Sequence, residues 1–346
     1  LNTLGDDPYR ADIFWRFGGL HAGRGEFQEA ESYYAKALEV QPGLTKAHID
    51  LATVLIHTGR TNEAIAHYQQ ALDRVPGDPL ANYNLGVVLQ GLGQVASALE
   101  HFQKAVQAEQ GNASYRLALA SALEQTGKQA KALEQLEAAL RFDPNSAEIH
   151  SRLGGALSAQ QRYREAIDHL KKALSMDPAN PEAHYNMGTT LAMNGRVADA
   201  MPHFLEAARL QPDHPRVHLA CGMAYAETGR FAEAVESYRA ALRLQPDLMP
   251  ALVNLCWILC AHPDRNVRNG QEAVELARTA LRVGGPDHPE AYDLLAAAYA
   301  EAGQWAEAIE AARQATTLAT QKGRIELLSD LKRKLELYET EQPFRL

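Results

Sequence analysis

The sequence predicts an all-α fold built from stacked helical hairpins, and three observations predict it. Prolines recur at Pro42, Pro76, Pro144, Pro178, Pro212 and Pro246, each 34 residues from the next apart from one double gap of 68. A fixed internal period of this length marks a solenoid of repeated supersecondary units. Alanine holds two fixed places in every period, at Ala30, Ala64, Ala98, Ala132, Ala166, Ala200, Ala234, Ala273 and Ala308, and again at Ala37, Ala71, Ala105, Ala139, Ala173, Ala207, Ala241, Ala280 and Ala315. The third observation is composition: alanine supplies roughly one residue in six while strand formers are sparse, a balance that favours helix.

The period divides the chain. With Pro42 placed at position 32, seven 34-residue units run 11–44, 45–78, 79–112, 113–146, 147–180, 181–214 and 215–248. An eighth, 249–288, is lengthened by an insertion around His262–Gly270, and a ninth is 289–322. Residues 1–10 form a lead-in and 323–346 a closing segment.

Within a unit, positions 4, 7, 8 and 11 share one face of a first helix, and positions 20, 24 and 27 share one face of a second. Position 8 is small throughout, as in Gly18, Ala52, Gly86, Gly188 and Cys256. Position 24 is mostly aromatic or leucine, as in Tyr34, Tyr68, Phe102, Leu136, Leu170, Phe204 and Tyr238. Small residues let helices approach and large ones fill the space between them. Glycine near position 15, as at Gly25, Gly59 and Gly93, breaks the two helices apart. Proline at position 1 in Pro79, Pro181, Pro215 and Pro289 suits the first turn of the next helix. Pro202 falls inside a second helix, where a local bend is expected.

This pattern resembles the tetratricopeptide repeat (TPR) family. In the third unit, Tyr83, Leu85, Gly86, Leu89, Ala98 and Phe102 stand where the family signature has its aromatic, Leu-Gly, large, Ala and aromatic residues. The resemblance covers residues 11–322. It departs from the signature at position 4, often His here (His48, His150, His184, His218), and at Gln110, where proline is expected. It implies a right-handed α-α superhelical solenoid of about nine helix-turn-helix units with a C-terminal capping helix, similar to long bacterial TPR proteins.

A solenoid has to cover its exposed ends. Ile325, Leu328, Leu331, Leu335 and Tyr338 recur at helical spacing, so one face of a closing helix is expected to be apolar, with Lys332, Lys334 and Glu336 outside. At the other end the lead-in is too short for a full capping helix, leaving Phe14, Trp15 and Phe17 in an exposed first helix.

The resemblance also implies that first helices line a concave groove, with positions 2, 5, 6, 9, 12 and 13 facing it. The candidate partner-binding residues are then Trp15, Ile49, Tyr83, Asn84, Tyr185, Asn186, Val253, Asn254 and Trp257. Asparagine offers a donor and an acceptor to an extended backbone, and aromatic neighbours supply buried area. Asn84, Asn186 and Asn254 make a partial asparagine ladder similar to that in the TPR arm of O-GlcNAc transferases. The alternative is that Tyr83 or Trp15 shields backbone or packs between repeats. The carboxylate clamp that the family uses for chaperone C-termini is not found.

Other chemistry finds little support in the sequence. A net charge of −9 argues against a nucleic-acid partner, and no apolar stretch reaches the ~20 residues of a membrane span. Histidine fills rows at positions 4 and 23 (His67, His101, His169, His203). Equivalent residues one repeat apart stand about 10 Å from each other, too far for shared ligation of a metal about 2 Å from each ligand, so the rows are expected to be structural. Cys256, Cys260 and His262 lack a fourth ligand, and Cys256 holds a small core position. No metal, cofactor or catalytic constellation is expected. Gly18-Gly19 and Gly23-x-Gly25 lack the strand that precedes a nucleotide loop, and Asn112-Ala113-Ser114 is a glycosylation sequon that matters only in an exported protein. Leu1 rather than Met points to a longer precursor, whose removed leader would imply export; otherwise the cytoplasm is favoured. The expected function is a non-catalytic scaffold that binds a protein or peptide in the groove. The alternatives are a homo-oligomer assembling head to tail through its end repeats, and the TPR arm of a larger enzyme such as a glycosyltransferase.

Overall fold

The computed structural model describes residues 8–345; the lead-in before Pro8 and Leu346 lie outside the described residues. All regular structure among the described residues is helical, in nineteen helices, and the fold class is the all-α superhelical solenoid. The chain forms two compact units divided between Gln160 and Gln161. Unit 1 holds α1 (Pro8–Gly23), α2 (Phe27–Val40), α3 (Thr45–His57), α4 (Thr61–Arg74), α5 (Pro79–Gly91), α6 (Val95–Ala108), α7 (Ala113–Gln125), α8 (Gln129–Phe142) and α9 (Ala147–Ala159). Unit 2 holds α10 (Tyr163–Met176), α11 (Pro181–Met193), α12 (Val197–Leu210), α13 (Pro215–Glu227), α14 (Phe231–Leu244), α15 (Met249–Ala261), α16 (Gly270–Gly284), α17 (Pro289–Glu301), α18 (Trp305–Gln321) and α19 (Ile325–Glu339).

Local chemistry sets these boundaries. Asp78, Asn112, Ser146 and Asn180 each accept a backbone N–H from the first turn of the helix they precede, satisfying donors that have no intrahelical partner. Asn112 of the sequon therefore has a structural task as the cap of α7. Between α3 and α4, Gly59 takes φ +79° and the Arg60 N–H closes on the Leu55 carbonyl at 2.9 Å. This left-handed helix end is open to glycine without steric cost. α12 runs on through Pro202.

Neighbouring helices pack in sequence. In unit 1 the pairs are α1/α2, α3/α4, α5/α6 and α7/α8, with α9 on α8; in unit 2 α10 lies on α11, the pairs are α11/α12, α13/α14, α15/α16 and α17/α18, and α19 lies on α18. Inside a pair the aromatic of position 24 lies flat on the small residue of position 8. A Cβ added to Gly188 would fall 2.7 Å from the Phe204 ring, and one added to Gly222 would fall 2.6 Å from Tyr238. Alanines 30, 37, 64, 71, 98, 105, 166, 173, 200, 207, 234 and 241 are completely buried, as close helix approach requires.

Successive first helices also touch: α1 with α3, α3 with α5 and α5 with α7 in unit 1, and α11 with α13, α13 with α15 and α15 with α17 in unit 2. Within each unit, successive second helices make no contact of that extent among the described residues. In each unit the first helices therefore form the inner wall of a curved stack and the second helices the outer wall.

The closing helix corrects two expectations. Leu331 packs on Ala315 and Ala319, and Tyr338 enters the core formed with α15, α16 and α17. Lys334, expected outside, is only 4% exposed, while Ile325, expected on the packed face, is 76% exposed. The buried face of α19 thus runs Leu331, Lys334, Tyr338, a spacing of three then four. The lysine is admitted because Asp293 and Asp330 hold its ammonium at 2.7 and 2.8 Å, the condition under which a charge can be buried.

Candidate functional site

Positions 5 and 6 of the first helices are largely committed to the fold. Ile49, expected on the groove wall, is instead in the core at 4% exposure. Trp15 donates its indole N–H to Asp50 at 2.6 Å and carries the Lys46 ammonium 3.7 Å above its ring, so it joins the first two repeats. Tyr83 packs between Phe102 and Tyr115, with ring centroids 6.1 and 4.9 Å away. Tyr185 packs likewise on Phe204 and His214.

Three position-6 polar residues, Asp50, Asn84 and Asn254, lie beside a phenol of the preceding repeat. Tyr68 is hydrogen-bonded to Thr53 at 3.0 Å and to Asn84, contacts that oppose the rise in its pKa caused by burial. Tyr238 is pushed up to about 12 by burial, against a hydrogen bond with Asn254. Tyr34 is held at about 12 by burial and by the nearby Asp50 carboxylate. Where position 24 is Phe102 or Phe204, the following position 6 is Ala118 or Ala220. Asn84 and Asn254 thus stand where a buried hydroxyl needs a partner. Asn186 follows Leu170, which has no hydroxyl.

The two histidine rows meet. His48 Nδ1 lies 3.0 Å from His67 Nδ1 and its Nε2 lies 3.0 Å from the Pro42 carbonyl; His184, His203 and Pro178 repeat the arrangement at 3.1 and 3.0 Å. Asn82 does the same between the Pro76 carbonyl and His101, and Arg116 between the Gln110 carbonyl and Gln135. The position-4 side chain thus ties the preceding interrepeat turn to the second helix of its own hairpin. Spacing along each row hid this, because the partners lie 19 residues apart within one repeat. The thiols of Cys256 and Cys260 are buried in the core, and hydrogen bonding with Cys260, followed by burial, pushes the Cys256 thiol well up. His262 turns to the Phe231 ring, 4.3 Å away. Among the described residues no group of three His, Cys, Asp or Glu side chains is placed to hold a metal.

Open surface with a cavity is found at the end of unit 2. A cavity of about 620 Å³ lies on the inner wall between α15 and α17, a volume within the usual range for ligand and side-chain pockets. Val253 and Trp257 line it with Leu294 and Met249, and Asp293, His288 and Arg324 add polar groups. Asn254, the third candidate on α15, is engaged with Tyr238. Trp257 is half-buried, with the Lys334 ammonium 4.8 Å from its ring centre and Phe344 edge-on at 6.3 Å. Burial pushes the Asp293 carboxyl above its ordinary range, against the pull of Lys334. The structure brings Val253 and Trp257 together and leaves Trp15, Tyr83, Asn84, Tyr185 and Asn186 outside this cavity. Asp293, Arg324, Lys334 and Phe344 were not among the candidates. The signal for Lys334 was its helical spacing from Leu331 and Tyr338; the residues after α19 carried no pattern to find.

Family comparisons agree with this architecture. Three family models described as tetratricopeptide repeats match the chain, one at residues 21–83 and 157–224, one at 83–147 and 265–322, and one at 215–248. Among solved structures, that of Pseudomonas aeruginosa PilF is 21% identical with a TM-score of 0.56, covering 63% of this chain and 98% of that one, a likeness of fold. Two others align less closely. YrrB, described as a TPR protein with an unusual peptide-binding site, is 23% identical with a TM-score of 0.40, covering 54% of this chain and 95% of its own. MamA from Desulfovibrio magneticus is 18% identical with a TM-score of 0.42, covering 49% and 96%. Among curated proteins no match is found. The likeness to O-GlcNAc transferase arms is not confirmed, and two of the three asparagines behind it are engaged with Tyr68 and Tyr238. Proteins built from these repeats are generally interaction scaffolds. The matched repeats span most of the sequence, and the chain belongs to the tetratricopeptide repeat family.

Proposed function

We propose that the protein is a non-catalytic scaffold that takes an extended segment of a partner protein on the inner wall of unit 2, centred on α15 and α17. The observation that carries this reading is the 620 Å³ cavity beside Trp257, apolar along Val253 and Leu294 and rimmed by Asp293, His288 and Arg324. An apolar, partly enclosed floor with a few fixed charges suits side chains of a bound segment, with a large aromatic as anchor. The histidine, cysteine and tyrosine groups with displaced pKa values sit in packing roles, which supports the non-catalytic half of the reading. The test places a photo-cross-linking side chain at Trp257, or on the outer wall at Glu275, and irradiates each with the proteins of the source cell. The expected result is a discrete adduct from position 257 alone, whose sequenced partner segment then binds Val253→Ser chain about tenfold more weakly, as loss of one buried apolar anchor predicts. Equal labelling from both positions would end the reading.

One observation favours self-association as a second reading. Tyr9, Ile13, Phe17 and Leu20 stand exposed along one side of α1, a contiguous apolar stripe at i, i+4, i+8 and i+11. A second copy covering this stripe should make the mass in solution rise with concentration, and Phe17→Ser should abolish the rise. A monomer throughout the series would remove this reading.

A further inference from the structure

The residues after α19 fold back onto the inner wall. Glu341 takes φ +54° and the Gln342 N–H closes on the Leu337 carbonyl at 2.9 Å. This left-handed helix end is occupied by glycine at most other places in the chain, and a side chain tolerates it only at some cost. The reversal carries Phe344 to Trp257 and beneath the Lys334 ammonium, 4.7 Å from the Phe344 ring centre. Arg345 then spans two helices: one terminal nitrogen pairs with Glu301 at 2.7 Å, and the other donates to the Cys260 carbonyl at 3.1 Å.

Both acceptors are also held by parts of the fold other than the tail. Glu301 closes α17, is nearly buried, and has its other oxygen held by Arg268 at 2.9 Å. Arg268 is itself fixed by the carbonyls of His262 and Pro263 at 2.9 and 2.8 Å. This gives the insertion in the eighth repeat a role: it positions the carboxylate. Cys260 lies in the last turn of α15, where carbonyls lack intrahelical donors and the helix dipole is negative. A cation is favoured there on both counts, and a planar guanidinium can address two acceptors at once.

We infer that this is a recognition site for an aromatic residue followed by arginine in an extended partner segment, and that Phe344 and Arg345 occupy it as an internal competitor. The inference rests on the inner-wall reading above and names the chemistry of the partner. Trp257 both contacts Phe344 and lines the cavity, and no described residue of the tail lines that cavity. A partner with its aromatic on Trp257 can therefore bury an adjoining apolar side chain where the tail buries none. The acidic balance of the chain, −9 overall, favours a cationic segment.

The test titrates a fluorescent peptide of sequence Gln-Pro-Phe-Arg, blocked at both ends, against the full chain and against its Phe344→Ala/Arg345→Ala variant. A tethered competitor acts at high effective concentration, so the variant should bind the peptide about tenfold more tightly than the parent. In the variant, Glu301→Gln should remove most of that affinity, and a peptide with glutamate in place of arginine should not bind. Circular dichroism checks that the helices persist in both variants, and the altered peptide tests the site where Glu301→Gln disturbs the fold. Equal affinity of parent and variant, or indifference to the arginine, would overturn the inference. If the peptide fails while cross-links still form at position 257, the aromatic–arginine motif is wrong and the inner-wall reading stands; if both fail, both fall.

Discussion

His48 and His67 face each other Nδ1 to Nδ1 across 3.0 Å. His48 Nε2 faces the Pro42 carbonyl and so donates there, and one proton is shared between the two Nδ1 atoms. Burial, followed by the neighbouring ring, holds His67 below the ordinary histidine value, and the same causes act on His203 beside His184. A group with a lowered folded pKa binds protons first in the unfolded chain as the pH falls through about 6.5. The stability contributed by these pairs is therefore present above that pH and is lost as the pH falls toward the lowered folded values. Thermal melts at pH 7.5 and 5.5 should show a larger loss for the parent than for His67→Gln/His203→Gln, since glutamine already serves at this position in Gln135. Equal losses would refute the assignment.

Lys334 is a buried ammonium with two carboxylate partners and two aromatic neighbours. Lys334→Met should cost about 3–5 kcal/mol, because it strands the buried Asp293 without a counter-charge. Lys334→Met/Asp293→Asn should recover much of the loss in urea unfolding. A double variant no better than the single would mean that burial of the charge is not what the lysine offsets.

Asn84 and Tyr68 should be energetically coupled. A double-mutant cycle with Asn84→Ala and Tyr68→Phe should give a coupling of about 1 kcal/mol, the net worth of a partly buried hydrogen bond. Strict additivity would return Asn84 to the pool of residues free for a ligand.

Close helix approach at Ala166 and Ala173, both fully buried, should make Ala166→Leu and Ala173→Leu each destabilising by about 1–3 kcal/mol through overpacking. Chemical denaturation measures this, and a neutral effect at both positions would contradict the assigned packing.

The repeat architecture is legible in the sequence because its determinants are local and periodic: Gly59 ends one helix, Asp78 and Pro79 begin another, and Ala98 and Ala105 mark a close contact wherever they fall. The inner wall is less legible. Tyr83 and Asn84 carry the chemistry of a binding surface, yet their partners, Tyr115 and Tyr68, lie 32 and 16 residues away in neighbouring repeats, and only packing reveals that they are engaged. The charge of Lys334 argues for the outside while its spacing from Leu331 and Tyr338 places it inward; its partner Asp293 lies 41 residues back. Arg345 meets Cys260 across 85 residues with no pattern to announce it.

Hydrogen–deuterium exchange on the full chain, with and without the partner segment identified by cross-linking, tests the central claim most directly. The account predicts slowed exchange in α15 and α17 and faster exchange in residues 342–345, as the incoming segment takes the inner wall and releases the tail. Protection confined to the outer helices α16 and α18, with the tail unchanged, would contradict it.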